Sequence, residues 1–235
     1  MNRVGIASVG VVLVLATALA GCGGSSKAKS APTTVPSPAK DRATAESLVL
    51  HQTDFPSGWA GKPHQSDASD ARIAKQLSTC VGASDPSTQT AKVDRPDVDK
   101  GGAEVSTSAA FAASAAAFAK DSAALRSAKY TSCLKTLFAT ELQAQISKST
   151  PGVTISNLNL QKVSTPTYGD VTVELRLSMT ITGGAQTAKL YIDDISYGKD
   201  RAEVDLTFSN TGAPFDATLE KSLVEKAVAK LKTLS

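Results

Sequence analysis

The chain has 235 residues, 41% of them apolar and 20% charged, with a formal net charge of +3. That composition excludes a disordered chain, and the length leaves room for one core of ordinary size. A surplus this small, with no basic cluster and no RNA-type aromatic motif, gives no footprint for nucleic acid.

The first element is a leader. Arg3 is followed by an uncharged run from Val4 to Ala20, the charged n-region and apolar h-region of a secretory signal peptide. The run is roughly 17 residues, at the lower limit for crossing a bilayer, and Gly5, Ser8 and Gly10 interrupt it. It ends in Leu19-Ala20-Gly21-Cys22, which resembles the lipobox of bacterial lipoproteins. The resemblance implies a diacylglyceryl group on the Cys22 sulfur, cleavage before Cys22, and an acyl chain such as palmitate on its new amine. Two or more acyl chains anchor a protein stably, where one is marginal. Without lipidation the same stretch reads as an ordinary signal peptide or an uncleaved membrane helix. The expected division is a leader over 1–21, a tether over 22–40 and one folded domain over 41–235, held at the extracytoplasmic face of the cell membrane. Pro32, Pro36 and Pro38 lie among Gly, Ser, Ala, Thr and Lys in the tether, a composition that cannot bury apolar surface.

With Cys22 taken by lipid, Cys80 and Cys133 remain. In an oxidising compartment they read as one disulfide, the alternative being two buried free thiols. His51 and His64 lack the CxxC or HxxxH partners of a metal site, so neither metal nor cofactor is expected.

Residues 41–50 read as a helix with Leu48 and Leu50 inward. Asp54-Phe55-Pro56-Ser57-Gly58-Trp59 is a turn. It sets Phe55 and Trp59 on either side, as a hydrophobic clasp or as an aromatic platform for a ligand. Ile73, Leu77 and Cys80 share a face of a predicted helix over 70–80. Residues 81–100 read as a polar loop; Asp94, Asp97 and Asp99 lack the glycine and closing glutamate of an EF-hand. Ala103–Ala110 reads as a strand. A helix over 112–128 follows, with Phe118 and Leu125 inward, and then a second over 132–147 with Cys133 in its first turn. A Cys80–Cys133 bridge would tie two helices. Pro151-Gly152 closes the helical half.

From Val153 the period changes from 3.6 to 2. Val153, Ile155, Leu158, Leu160 and Val163 mark a strand with an irregularity near Asn157. Val171 to Ile181 alternates cleanly, Gly183-Gly184 is a hairpin signal, and strands at 188–193 and 202–208 flank a turn at Tyr197-Gly198-Lys199-Asp200. The expectation is an α+β fold: an antiparallel sheet of about five strands packed against helices, one face apolar and one wet, with one disulfide. Asp216 is a plausible N-cap for a last helix, whose Lys221, Lys226, Lys230 and Lys232 read as a solvated face or a contact with anionic lipid.

The order of lipobox, Pro/Thr tether, Leu-rich helix, Phe-Pro-x-Gly-Trp turn, Cys helix, strand, Ala-rich helices, alternating strands and final helix resembles actinobacterial, mycobacterial-type lipoproteins. Their domain is sensor-like, or PsbP/Mog1-like, and some are similar to the extracellular sensor domain of a mycobacterial serine/threonine kinase. That domain carries two disulfides, where this chain has cysteines for one. The resemblance implies a binding or sensing role and brings no catalytic residues. The expectation is therefore a membrane-anchored, monomeric binding domain without catalysis, its ligand or envelope partner unidentified. One alternative is a lipid or glycolipid carrier. Another is a cell-wall hydrolase, for which no G-x-S-x-G is present; Asp193, Asp194, Glu203 and Asp205 are candidate carboxylates that read as solvating an exposed sheet face.

Overall fold

The computed structural model describes residues 37–64, 68–144 and 152–234. Cys22 and its lipobox, the tether up to residue 36 and the end of the second Ala-rich helical stretch lie outside them. Among the described residues no helix is long and apolar enough to cross a membrane.

The helices are α1 (Pro38–Leu48), α2 (Ala68–Val81), α3 (Ala115–Arg126), α4 (Ala128–Leu137) and α5 (Ala217–Lys232). Their starts follow local chemistry. Proline opens α1, where its missing N–H costs nothing. Ser114 accepts the Ala117 amide at 3.1 Å to cap α3, and Asp216 accepts the Leu219 amide at 2.8 Å to cap α5. A π-helical stretch, Phe138–Leu142, continues α4. The disulfide joins Cys80 of α2 to Cys133 of α4 with their Cα atoms 6.0 Å apart.

The strands are β1 (Ala60–Lys62), β2 (Ala91–Asp94), β3 (Asp97–Lys100), β4 (Ala103–Phe111), β5 (Val153–Val163), β6 (Val171–Gly183), β7 (Gln186–Lys199) and β8 (Ala202–Thr211). They form one antiparallel sheet in the order β1-β3-β4-β8-β7-β6-β5, with β2 also on β4. The sheet has eight strands rather than five. The three missed ones are short and polar, and β2 and β3 fall in the stretch read as a loop. They are two halves of one strand broken at Arg95-Pro96, both on β4, with β1 outside the β3 half, and the Arg95 amide still reaches Thr107 O at 3.0 Å. Proline has no N–H for the ladder, so it interrupts the strand. The irregularity in β5 is present: the register shifts between Ser156 and Asn159, and Asn157 takes φ 52°.

The expected wet face is not wet. Helices cover both faces, each over a different half. On one face α2, α3 and α4 pack Leu77, Phe118, Leu125, Tyr130 and Leu134 onto Val173, Leu175 and Leu177 of β6 and Leu160 of β5. On the other, α1 and α5 pack Leu48, Leu223, Ala227 and Leu231 onto Val105, Tyr197, Val204, Leu206 and Phe208. The switch occurs in β7 at Ile192-Asp193-Asp194-Ile195. Strict alternation sends Ile192 to the first face and Ile195 to the second. From there on, β7 and β8 send their polar residues to the first face.

Candidate functional site

The polar residues of the first face lie on three neighbouring strands. Cross-strand pairing sets Ser106 of β4 beside Thr207 of β8, and Thr207 beside Asp194 of β7. One step along, Ser108 pairs with Asp205 and Asp205 with Ser196. Beyond β7 the face turns apolar, because Asp194 pairs with Leu175 of β6.

Two hollows meet on this line. A narrow apolar crevice, with room for about 20 Å³, is lined by Leu134, Phe138, Leu160, Leu175, Leu177 and Ile192, together with Asp194 and Thr207. A shallow polar hollow, with room for about 10 Å³, is lined by His64, Asp94, Ser106, Thr107, Ser108, Asp205 and, again, Thr207.

The carboxylates divide by partner. At the outer edge each has a cation: Lys92 and Asp94 are 3.0 Å apart, His64 Nδ1 and Asp97 Oδ1 3.0 Å, and Lys62 pairs with Glu104 and reaches Asp99 at 4.0 Å. Further in, the partners are neutral. Asp194 accepts the Thr207 hydroxyl at 3.0 Å and Asp205 the Ser196 hydroxyl at 2.6 Å. Asp121 of α3 accepts the Ser84 amide at 3.0 Å, and Gln89 donates to Glu203. Among the described residues no ion pair includes Asp121, Asp194, Glu203 or Asp205.

Burial without a counter-charge raises the proton affinity of these groups. It lifts Asp121 to about 6. It also lifts Asp194 and Asp205, with the Asp205 charge adding to the effect on Asp194, and it holds Glu203 well above the ordinary range. Tyr130 of α4, fully buried and facing Asp194 and Asp205, is raised for the same reason.

His64 was not singled out for chemistry by the sequence, yet the structure sets it against Asp97, and that hydrogen bond raises its pKa. The Ser106 hydroxyl donates to the same Asp97 oxygen at 2.6 Å. A hydrolytic triad needs the serine hydroxyl on the imidazole; here Ser106 serves the carboxylate. Asp94, Asp97 and Asp99 lie apart on β2 and β3, each beside a cation, and no metal-holding group of His, Cys, Asp and Glu occurs among the described residues. Asp193 belongs to the opposite face, where Arg176 reaches it.

Phe55 and Trp59 lie across the sheet from these hollows. Their rings are 5.7 Å apart, Trp59 is 5.9 Å from Phe215, and Phe215 is 5.1 Å from Phe208. This aromatic row belongs to the second core. Lys226 and Lys230 do not form a free basic face either: Lys226 donates to Asp54 O, and Lys230 to Val49 O at 2.7 Å and to Asp54 Oδ2 at 2.8 Å. The one sequence signal for the polar hollow is the run Ser106-Thr107-Ser108 inside a buried central strand.

No family model matches the chain, and no curated protein matches it. A solved structure, the extracellular domain of PknH from Mycobacterium tuberculosis, aligns with 81% of this chain and 96% of its own length. The identity is 12% and the TM-score 0.39, too distant to carry a residue's role from one protein to the other.

Proposed function

We propose that this protein is a lipid-anchored, extracytoplasmic domain that binds a small ligand and does not transform it. One observation carries the reading: on one face of the sheet a polar hollow and a narrow apolar crevice walled by Leu134 of α4 share Thr207. Concave apolar surface with a few convergent polar groups is the usual form of a small-molecule site. The leader ending at Cys22 and the Cys80–Cys133 bridge support an oxidising, membrane-tethered location. The narrowness of the crevice disfavours an envelope lipid with several chains.

The test is native mass spectrometry of the protein purified from its own membrane, before and after organic extraction. The expected result is a diacylated N-terminal Cys22 and a removable extra mass of a few hundred daltons. An unmodified N-terminus at Gly23 or later would remove the anchor. A protein that neither carries nor takes up any small molecule would remove the binding role and direct the search to protein partners.

A further inference from the structure

We infer that the end of the sheet from which the tether leaves rests on a membrane surface carrying anionic lipid, with Lys40, Arg126, Lys129, Lys162 and Lys232 toward the headgroups. This rests on the Cys22 anchor proposed above and adds how the domain sits against the bilayer.

The first observation is where the elements converge. Ser37 O accepts the Asp41 amide at 2.8 Å in the first turn of α1, and Asp41 holds Arg201 of the β7–β8 turn. The Asp200 amide donates to Asp170 Oδ2 at 2.8 Å, and Arg126 at the end of α3 donates to Asp170 O. Lys162 Nζ of β5 reaches Arg126 O at 3.4 Å, and Lys199 Nζ reaches Leu234 O, just past α5, at 2.6 Å. One end of the sheet therefore gathers the tether exit, the α3–α4 joint and the last turn of α5. The β6–β7 hairpin and the β3–β4 turn lie at the other end, because these strands are antiparallel.

The second observation is the charge exposed there. Lys40, Arg126, Lys129, Lys162 and Lys232 are exposed, and among the described residues no ion pair includes any of them. The exposed carboxylates that the same contacts bring in are Asp170 and Asp200, while Asp41 is buried and neutralised by Arg201. Asp121 and Glu203 lie a step inward, and burial raises both toward the neutral form. The balance on this end is positive.

The third observation is the length of chain between anchor and domain. From Cys22 to Ser37 it can extend at most about 50 Å, and Lys27 and Lys29 lie within it. A domain held that close meets the surface at a high effective concentration, so contacts too weak to recruit a free protein still orient a tethered one. Each lysine or arginine near an anionic leaflet strengthens attachment about fivefold. The opposite end competes poorly: Lys221 faces Glu225 at 4.0 Å, and Lys100 donates to Ser57 O at 3.2 Å.

The experiment places the acylated protein in phosphatidylcholine vesicles with or without phosphatidylglycerol and labels lysine amines with a water-soluble acylating reagent, read by mass spectrometry. Labelling of Lys40, Lys129, Lys162 and Lys232 is expected to fall about threefold or more in the anionic vesicles, that of Lys100, Lys189 and Lys221 to change less than about twofold, and the difference to vanish in about 1 M salt. The mature chain with Cys22→Ser should sediment with the anionic vesicles, and adding Lys129→Glu and Lys232→Glu should weaken that about tenfold or more at an unchanged melting temperature. Equal labelling of both ends in both kinds of vesicle, or sedimentation untouched by the two reversals, would overturn this surface and leave the anchor standing. A native chain without acyl groups on Cys22 would overturn the anchor alone, since sedimentation of the Cys22→Ser chain still decides the surface.

Discussion

Asp194 and Asp205 sit diagonally across β7 and β8, each accepting a hydroxyl from the strand that carries the other: Thr207 donates to Asp194 and Ser196 to Asp205. Two like charges on neighbouring strands, each hydrogen-bonded to a neutral hydroxyl, favour retention of a proton.

That arrangement predicts the pH profile of stability. Burial raises Asp194, Asp205, Glu203 and Asp121, and on the opposite face it raises Glu220 to about 7, with Asp193 and Glu174 adding their charge. A carboxyl whose folded pKa exceeds its unfolded value binds its proton more tightly when folded. Stability therefore falls as pH rises from the unfolded values, 3.8 for the aspartates and 4.5 for the glutamates, through the raised folded values. His64 acts in the same direction. The Asp97 hydrogen bond raises it above 6.5, so its contribution is complete below that value and lost above the folded one. Asp97 and Asp54 oppose the trend at the acid end. Burial pushes each up, but hydrogen bonds from His64 and Ser106, and from the His51 amide and Lys230, outweigh it, so their contribution disappears below about 3.8. The melting temperature should peak between about pH 4 and 6 and decline toward pH 8. Asp194→Asn with Asp205→Asn should flatten the decline. A melting temperature that climbs steadily to pH 8 would contradict the carboxyl row.

A second prediction concerns the link from α1 to the β7–β8 turn. Arg201 Nη2 lies 2.8 and 3.0 Å from the two oxygens of Asp41, which is 5% exposed. Arg201 Nη1 donates to Ala112 O at 2.7 Å, and the guanidinium lies 5.5 Å from the Phe111 ring centre. Asp41→Ala should cost about 2–3 kcal/mol, because it leaves a largely buried guanidinium short of its acceptor. Arg201→Lys should cost about 1 kcal/mol or more, since a lysine cannot serve Asp41 and Ala112 from one planar fork. Denaturant midpoints at unchanged slope are the readout. Equal stability of Asp41→Ala and the native chain would show that the pair contributes nothing net.

The long strands and amphipathic helices were legible because their periods are long. Val171 to Ile181 alternates over eleven residues, and the bulge at Asn157 was visible as a break in the pattern. Three features were not legible. Strands β2 and β3 each place one valine inward, Val93 and Val98, too few to establish a period. The double aspartate in β7 looked like ordinary solvation, although it is where the apolar side of the sheet changes face. A face can be called wet only once the helices covering it are known, and α1 and α5 are distant in sequence from the strands they cover. The contact of His64 with Asp97 is likewise set by β1 pairing with β3, which no local pattern announces.

Gly198 gives a third prediction. The sequence suggested a turn there, but β7 continues to Lys199 and the turn falls at Asp200, with φ 59°. A methyl group on Gly198 would lie 2.7 Å from Ala202 O and 2.7 Å from a ring carbon of Phe118. Glycine is needed here so that α3 can approach the sheet, not for an unusual backbone angle. Gly198→Ala should cost about 1–3 kcal/mol through overpacking, and Phe118→Leu in the same chain should recover part of it. A neutral Gly198→Ala would show that α3 shifts freely over the strand.

Reduction of the Cys80–Cys133 bridge is the fourth. The two residues are 53 apart in sequence, and the chain-entropy model gives about 4 kcal/mol for closing such a loop. Cys80→Ser with Cys133→Ser should lower stability by about that amount. The bridge also fixes α2 to α4, and Leu134 and Phe138 on α4 and its continuation wall the apolar crevice. The double variant, assayed below its melting point, should therefore retain less of the small molecule that the native protein carries. A loss of stability with unchanged binding would mean that the helical layer keeps its place over β5 and β6 without the bridge.

The last prediction separates the aromatic row from the crevice. Phe55, Trp59, Phe215 and Phe208 stack in sequence on the α5 side of the sheet, and Gln52 fastens the row by donating to Trp59 O at 2.6 Å. Trp59 is only partly buried, so Trp59→Ala forgoes less than a core tryptophan would, about 2 kcal/mol. If the rings were a ligand platform, the same substitution would abolish uptake while leaving stability nearly intact. The packing arrangement predicts the reverse: a lower melting temperature and uptake of the carried small molecule within about twofold of the native protein, because the row and the crevice lie on opposite faces. Trp59→Phe should restore most of the stability by keeping a ring against Phe215. Measuring melting temperature and binding on the same Trp59→Ala preparation decides between the two roles.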